Sequence, residues 1–355
     1  MICVPVELAE RRYEVTIGAG AVQLLRQVLP EGAQMVAVVT QEGIGFDVDP
    51  GVRTQRFAVA DGENAKALPS VEELCRGFAR AGLSRSDAVV AVGGGVVSDV
   101  AGFAAGVYLR GVAYVNVATT LLAQVDAAIG GKTAVNLEEG KNLVGVFWQP
   151  VAVLCDTDAL STLPRREWAS GRGEMAKCAF LGKLVDGPLE RPGAAAGALL
   201  YELPLEEQIA RCVAIKAAAV SADEREGHLR MLLNYGHTMA HALEGAALSG
   251  DADYDLRHGE AVAVGLMFAA RLARRLGRIG DQGVEMHRRV LDGYELTGEV
   301  PAGVSARLLL GFMARDKKAR HDLTFVLDGP DGVEVVPRVP EQDILATLAE
   351  MGCEP

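Results

Sequence analysis

The sequence predicts an α/β N-terminal domain followed by a mainly α-helical C-terminal domain, and three observations carry this. Short apolar runs such as Met35–Val39, Ala88–Val92 and Ala152–Leu154 alternate with helix-length segments, the pattern of strands buried on both faces of a parallel sheet. From Arg165 the apolar spacing turns helical and stays so nearly to the end. The 355 residues, 50% hydrophobic and 23% charged, suffice for two domains with cores of their own, expected at 1–158 and 159–355.

Val4–Leu8 and Arg12–Ile17 read as short strands, Ala21–Leu29 as a helix, and Met35–Val39 and Gln55–Val59 as parallel strands. Only 41–53 separate the last two, too few for the usual crossover helix, so one sheet face is expected to be less covered there. After the polar loop Asp61–Lys66, Ser70 is placed as the cap of a helix reaching Ala81. The strand Ala88–Val92 runs into Gly93-Gly-Gly-Val-Val-Ser-Asp99 and a small-residue helix, Val100–Tyr108. Such a turn either lets backbone N–H groups approach a phosphate at a helix N-terminus or simply closes a tight strand-to-helix corner.

Tyr114–Val117 leads to Thr119 and Thr120, on the sheet edge where ligands of open α/β folds collect. Next, 124–145 sets Asp126, Lys132, Lys141 and Asn142 in one glycine-punctuated region, an anion cradle or a solvated loop. Asp156–Pro164 reads as the crossing into the second domain. There Glu167–Leu181, Leu205–Asp223 and Gly259–Gly277 are expected helices, 187–204 an irregular insert, and Leu323–Leu327 with Val333–Val336 a hairpin.

A net charge of −12 argues against a nucleic-acid surface, although local cations can still line an anion pocket. Six cysteines without a Cys-x-x-Cys pair suit reduced thiols better than disulfides or a thiolate zinc site. No signal peptide opens the chain, and apolar runs break before membrane-spanning length, so a cytoplasmic protein without a membrane partner is expected.

Within Leu233–Glu244, His237 and His241 stand four apart, on one face of a helix, where both can reach a single centre; the alternative is a pair of hydrogen-bonded core histidines. His258, ahead of the next apolar helix, favours the metal reading, because imidazole and carboxylate suit zinc. Thr238 stands where a zinc protease would carry its general-base glutamate, which excludes that class. A carboxylate lies upstream: Glu174 stands three residues before Lys177 on one helical face, as a ligand beside a cation or as a surface ion pair.

Gly93-Gly-Gly-Val-Val-Ser-Asp-Val-Ala-Gly-Phe103, Thr119-Thr-Leu-Leu-Ala-Gln-Val-Asp126, Gly130-Gly-Lys-Thr-Ala-Val-Asn136, Gly140-Lys-Asn142, the Glu174 helix, Asn234-x-Gly-His-Thr238, His258-Gly-Glu260 and Asp316-Lys-Lys318 occur in this order. Together they closely resemble the 3-dehydroquinate synthases, from about Asp61 to Leu327. The resemblance implies a Rossmann-like nucleotide-binding half, a helical half carrying a divalent metal (zinc, or cobalt), catalytic NAD, and a homodimer. The implied reaction converts 3-deoxy-D-arabino-heptulosonate 7-phosphate, a phosphorylated sugar acid, to 3-dehydroquinate and phosphate in the shikimate pathway of aromatic amino acid biosynthesis. Removing hydride from the C5 hydroxyl acidifies the C6 hydrogen, so that phosphate can leave. Returning the hydride leaves an enol that opens and closes by an internal aldol step, and a metal assists by polarising the C5 oxygen.

The resemblance assigns Glu174, His237 and His258 as metal ligands and moves His241 to the substrate side, setting aside its spacing-based pairing with His237. It places Arg110, Lys132, Lys177, Lys216, Arg230, Asn142, Asn234 and Lys317 or Lys318 on the anionic substrate, with Asp126 near substrate and nicotinamide. It assigns Glu63, Lys66, Gly94, Gly95, Val96, Asp99, Thr119, Thr120, Lys141 and Thr162 to NAD, with Lys132 shared.

Three departures stand out. Gln41 occupies a position where an aspartate often holds the adenine ribose. Ser98 replaces a glycine of the phosphate turn, and Arg172-Gly173 replaces a small apolar pair beside Glu174, leaving Arg172 as a surface residue or an extra anion contact. The rival readings are amino-dehydroquinate synthase, which shares most of these residues, other sugar phosphate cyclases, a metal-dependent polyol dehydrogenase of the same two-domain plan, and an inactive homologue.

Overall fold

The computed structural model describes residues 1–9, 11–182, 199–224, 229–316 and 323–355, with the side chains of Arg315 and Asp316 left aside. The chain forms two compact units, one of 1–164 with 205–225 and one of 165–204 with 226–355.

The first unit contains β1 (Ile2–Glu7), β2 (Arg12–Ile17), α1 (Leu25–Val28), β3 (Met35–Gln41), β4 (Arg53–Val59), α2 (Leu68–Ala81), β5 (Ala88–Gly93), α3 (Gly95–Val107), β6 (Ala113–Ala118), β7 (Lys132–Leu137), β8 (Gly140–Phe147) and β9 (Ala152–Cys155). Seven strands form one sheet in the order β1-β2-β9-β6-β5-β3-β4, parallel except for β1 against β2. Alternate residues of the central strands feed opposite faces. Ala37, Val39, Val89 and Ala91 pack with Phe78 of α2 and Phe103 of α3, whereas Val36, Val38 and Val90 pack with Leu25 of α1. The chain leaves β3 toward β4 and β5 toward β6, so the carboxyl ends of β3 and β5 flank the switch point where such sheets bind ligands.

Several local expectations change. Segment 42–52 holds no helix, as its length predicts, but the sheet face is not bare: Val48, Phe46 and Val52 join the cluster around Leu25 and Val36. Ser70 lies inside α2, which starts at Leu68 with proline in its first turn, where a missing N–H costs nothing. α3 begins at Gly95 rather than Val100. Region 124–145 is not a loop: after a π turn at Ala123–Ala127 it becomes the antiparallel hairpin β7-β8, with Thr133 and Val135 facing inward. Its glycines hid the two-residue alternation of a strand.

α4 (Arg165–Cys178) opens the second unit, and α5 (Leu205–Ala222) returns to the first, packing on β1 and β2 and burying Ile209, Cys212, Val213 and Val220. The single boundary expected after 158 therefore gives way to two interleaved stretches. The second unit continues with α6 (His237–Leu248), α7 (His258–Arg275), α8 (Asp281–Gly293), α9 (Ala306–Asp316), the hairpin β10 (Phe325–Leu327) and β11 (Glu334–Val336), and α10 (Glu341–Glu350). α7 is its axis, buried on every side from Ala261 to Ala270 and packed against α4, α6, α8 and α10. Among the described residues no helix is long and apolar enough to cross a membrane.

Candidate active site

Gly236 precedes α6 at φ 79°, a left-handed turn that delivers the chain from the turn Leu229–Asn234 into His237. His258 is the first residue of α7, and Glu174 lies in the C-terminal half of α4. The three side chains converge. Nε2 of His237 and Nε2 of His258 each lie 3.3 Å from Glu174 Oε1, and one donor atom from each residue lies within 4.8 Å of the other two. His241 is exposed and stands outside this group, its ring perpendicular to that of His237 at 5.5 Å. The two histidines share a helix face, as their spacing predicts, but not a centre.

The second ring nitrogens are also engaged. His237 Nδ1 meets the Tyr235 carbonyl at 3.1 Å, and His258 Nδ1 stands 3.5 Å from Glu244 Oε1 of α6. Holding Nδ1 in this way aims the Nε2 atoms of both rings at the common point. Glu174 Oε2 is taken by Lys177 Nζ, whereas the buried Oε1 has no hydrogen-bond partner among the described residues. An orphaned carboxylate oxygen beside two imidazole nitrogens fits a divalent cation, and two imidazoles with one carboxylate are a zinc or cobalt donor set that leaves a position open.

Burial opposes charge on Glu174, yet Lys177 and the two histidines hold its carboxyl well below the usual range. The histidines diverge. Burial, reinforced by Lys177, lowers His237, while His258, although desolvated, is pushed up to about 10 by Glu174 and Glu244.

In the first unit, the nucleotide candidates gather at the carboxyl edge of β5 and β6. α3 starts with neither a side-chain cap nor an acidic residue in its first turn, leaving the N–H groups of Gly95 and Val96 available to an anion. A Cβ on Gly93 would lie 2.5 Å from Val97 Cγ2, and one on Gly94 would lie 3.0 Å from Thr120 Cγ2. Ser98 does not crowd this turn, because it is buried and its Oγ donates back to Gly95 O at 3.0 Å. Thr119 N donates to Gly93 O at 3.0 Å, and Thr120 Oγ1 accepts from Ala123 N at 3.2 Å. Gln41 Nε2 donates to Ala60 O at 3.0 Å.

Lys66 Nζ donates to Asp99 Oδ2 at 2.6 Å and to Asn142 Oδ1 at 2.5 Å, while Asn136 Nδ2 donates to Glu63 Oε1 at 2.8 Å. Asn142 N donates to Asn136 Oδ1 at 2.8 Å, so Glu63, Lys66, Asp99 and Asn142 form one network tying hairpin β7-β8 to α3. Burial raises the Asp99 carboxyl to about 6 despite the Lys66 charge. A second group joins Lys216 of α5 to Asp126, whose Oδ1 and carbonyl oxygen each accept from Nζ at 2.7 Å.

Other nominated residues are more dispersed. Lys132 and Lys141 are exposed on the hairpin, and Thr162 is exposed in the turn after β9. Arg110, at φ 66°, precedes β6 whereas Thr119 follows it, so the strand, about 20 Å long, separates it from the nucleotide edge of its own unit. Arg230 is buried in the turn that ends at Asn234, just ahead of His237. Lys317 and Lys318 lie outside the described residues. Arg172 pairs with Glu295 and stands 5.9 Å from the Trp168 ring, a link from α4 to the end of α8. Sequence reasoning missed Glu244, although 237, 241 and 244 follow the spacing of one helix face.

Residues 56–170 match the family described as 3-dehydroquinate synthase N-terminal, and residues 171–319 match its C-terminal counterpart. The chain belongs to the 3-dehydroquinate synthase family. Over 98% of its length it is 49% identical to a protein of Amycolatopsis mediterranei (strain S699), named provisionally as an aminodehydroquinate synthase, and spans 94% of that chain. A 3-dehydroquinate synthase of Mycobacterium leprae (strain TN) is 44% identical over 89% of each chain. A solved 2-deoxy-scyllo-inosose synthase, complexed with carbaglucose-6-phosphate, NAD+ and Co2+, matches with a TM-score of 0.84 at 26% identity, covering 99% of this chain and 100% of that one. A 2-epi-5-epi-valiolone synthase from Streptomyces hygroscopicus subsp. jinggangensis 5008, with NAD+ and Zn2+ bound, matches with a TM-score of 0.78 at 26% identity over 98% of each chain. The family and its fold, a Rossmann-like parallel sheet with a helical second part, are those the motifs imply.

Proposed function

We propose that this chain is a phosphate-eliminating cyclase acting on 3-deoxy-D-arabino-heptulosonate 7-phosphate to give 3-dehydroquinate. The observation that carries the reading is the convergence of Glu174, His237 and His258 on one point beside Lys177, in a chain of this family. These three residues hold a divalent metal, zinc or cobalt, whose role when bound is to polarise the substrate oxygen that NAD oxidises. Lys177 keeps Glu174 ionised, and the Tyr235 carbonyl and Glu244 orient the histidines. NAD is bound by the α3 turn (Gly94, Gly95, Val96) with Glu63, Lys66, Asp99, Thr119, Thr120, Lys132, Lys141 and Thr162. The substrate is met by Asp126, Lys132, Asn142, Lys216, Arg230, Asn234 and His241, with Arg110 and Lys318 as further cations. His241, exposed beside His237, is the group suited to holding a proton near the leaving phosphate. Six free cysteines fit a reducing cytoplasm, and a homodimer is the assembly the resemblance implies.

The second reading, amino-dehydroquinate synthase, is favoured by the 49% identity over 98% of the chain to the relative so named. Incubation with NAD, zinc and either the heptulosonate phosphate or its amino analogue, followed by phosphate measurement, separates the two. Release from the first substrate supports the primary reading, and release from the amino analogue alone replaces it with the second. Net NADH formation from a polyol without phosphate release overturns both.

A further inference from the structure

Each candidate ligand is bonded to a glycine at which two helices meet backbone to backbone. Glu174 follows Gly173, His237 follows Gly236, and His258 precedes Gly259. A Cβ on Gly173 would stand 2.2 Å from Gly259 O and 2.4 Å from Gly259 Cα, and one on Gly259 would stand 2.0 Å from Ser170 O. Where α7 meets the start of α6, a Cβ on Gly265 would lie 1.9 Å from Gly236 O. The nearest obstacles are backbone atoms, so no rotamer change makes room. A methyl group at any of these positions drives the helices apart by on the order of 1 Å before van der Waals contact is restored.

We propose that Gly173, Gly259 and Gly265 are positioning residues of the metal centre: by clearing side chains from the α4–α7 and α6–α7 contacts, they set the separation of the ligands and thereby the affinity for a divalent metal. The side chains of glutamate and histidine have limited reach, so the 3.3 Å approaches to Glu174 Oε1 depend on backbones that meet closely. Metal–ligand distances tolerate only about 0.2 Å of deviation, several-fold less than the displacement a methyl imposes.

The inference rests on the metal reading above, and the experiment separates the two. Zinc affinity is measured by competition with a chromogenic chelator in the wild type and in Gly173→Ala, Gly259→Ala and Gly265→Ala. The visible spectrum of the Co2+-loaded proteins reports ligand geometry. Two controls use the same substitution in the same unit: Gly311→Ala, where the new Cβ meets nothing within 4 Å, and Gly245→Ala, where it meets the Phe312 side chain at 2.8 Å. The expected result is at least a 10-fold loss of zinc affinity and an altered Co2+ spectrum in each of the three variants that folds, with both controls within 3-fold of the wild type. The three substitutions probe two separate contacts, so failure of one to fold leaves the others decisive. Wild-type affinity in a folded Gly173→Ala or Gly265→Ala protein overturns the inference, as does an equal loss in Gly245→Ala. A wild-type protein that binds neither zinc nor cobalt overturns the metal reading itself.

Discussion

Replacing Lys177 with methionine tests whether the charge on Glu174 is held by its neighbour. The two side chains are 3% and 2% exposed, so water does not supply a counter-charge. His258 does not replace Lys177 either, because its single charge is shared between Glu174 and Glu244. In the variant, Glu174 either stays ionised in a dry site, at about 3–5 kcal/mol, or takes a proton. Protonation caps the loss: keeping a carboxyl with an ordinary value of 4.5 neutral at pH 7 costs about 3 kcal/mol, and at pH 5 less than about 1 kcal/mol. In the wild type the lowered value means that Glu174 contributes stability above pH 4.5 and loses it only as pH falls through its folded value, so that contribution is constant from pH 5 to 7. Urea unfolding followed by circular dichroism, with the metal removed by a chelator, should show the variant about 3 kcal/mol less stable at pH 7, with the deficit shrinking toward pH 5. A deficit under about 1 kcal/mol at pH 7, or one that does not shrink on acidification, would refute the assignment of Lys177 as the counter-charge.

Two further outcomes follow from the same geometry. Glu244→Gln removes the carboxylate facing His258 Nδ1 and should weaken zinc binding by roughly 10- to 100-fold with the fold intact, as read by chelator competition; unchanged affinity would remove Glu244 from the centre. Asp99 is raised to about 6 by burial, so its neutral form is favoured by folding, and the corresponding stability is present below pH 3.8 and lost as pH rises through 6. Relative to Asp99→Asn, the wild type should therefore lose up to about 3 kcal/mol between pH 4 and pH 7, and parallel stability curves for the two proteins would contradict a buried, perturbed Asp99.

The legible parts of this protein are those that local chemistry specifies. Fully buried runs such as Ala88–Val92 mark parallel strands by composition alone, and a glycine turn after such a strand marks the edge where an anion can sit. The ordered motifs also identify the family, and with it Glu174, His237 and His258 as a set, although Glu174 lies far from both histidines in sequence. Tertiary structure decided what depends on packing between distant segments. It turned 124–145 into a hairpin held to α3 through Lys66 and Asn142, and it returned α5 to the first unit. It left His241 beside His237 yet outside the cluster, because a shared helix face fixes direction but not the partner that arrives opposite. It also brought Glu244 to His258, and it brought the backbone of α7 against Gly173 and Gly236, contacts between residues whose separation along the chain says nothing about their distance in space. The sequence alone determined which donor atoms are available to a metal; how closely they converge was set by where three helices touch.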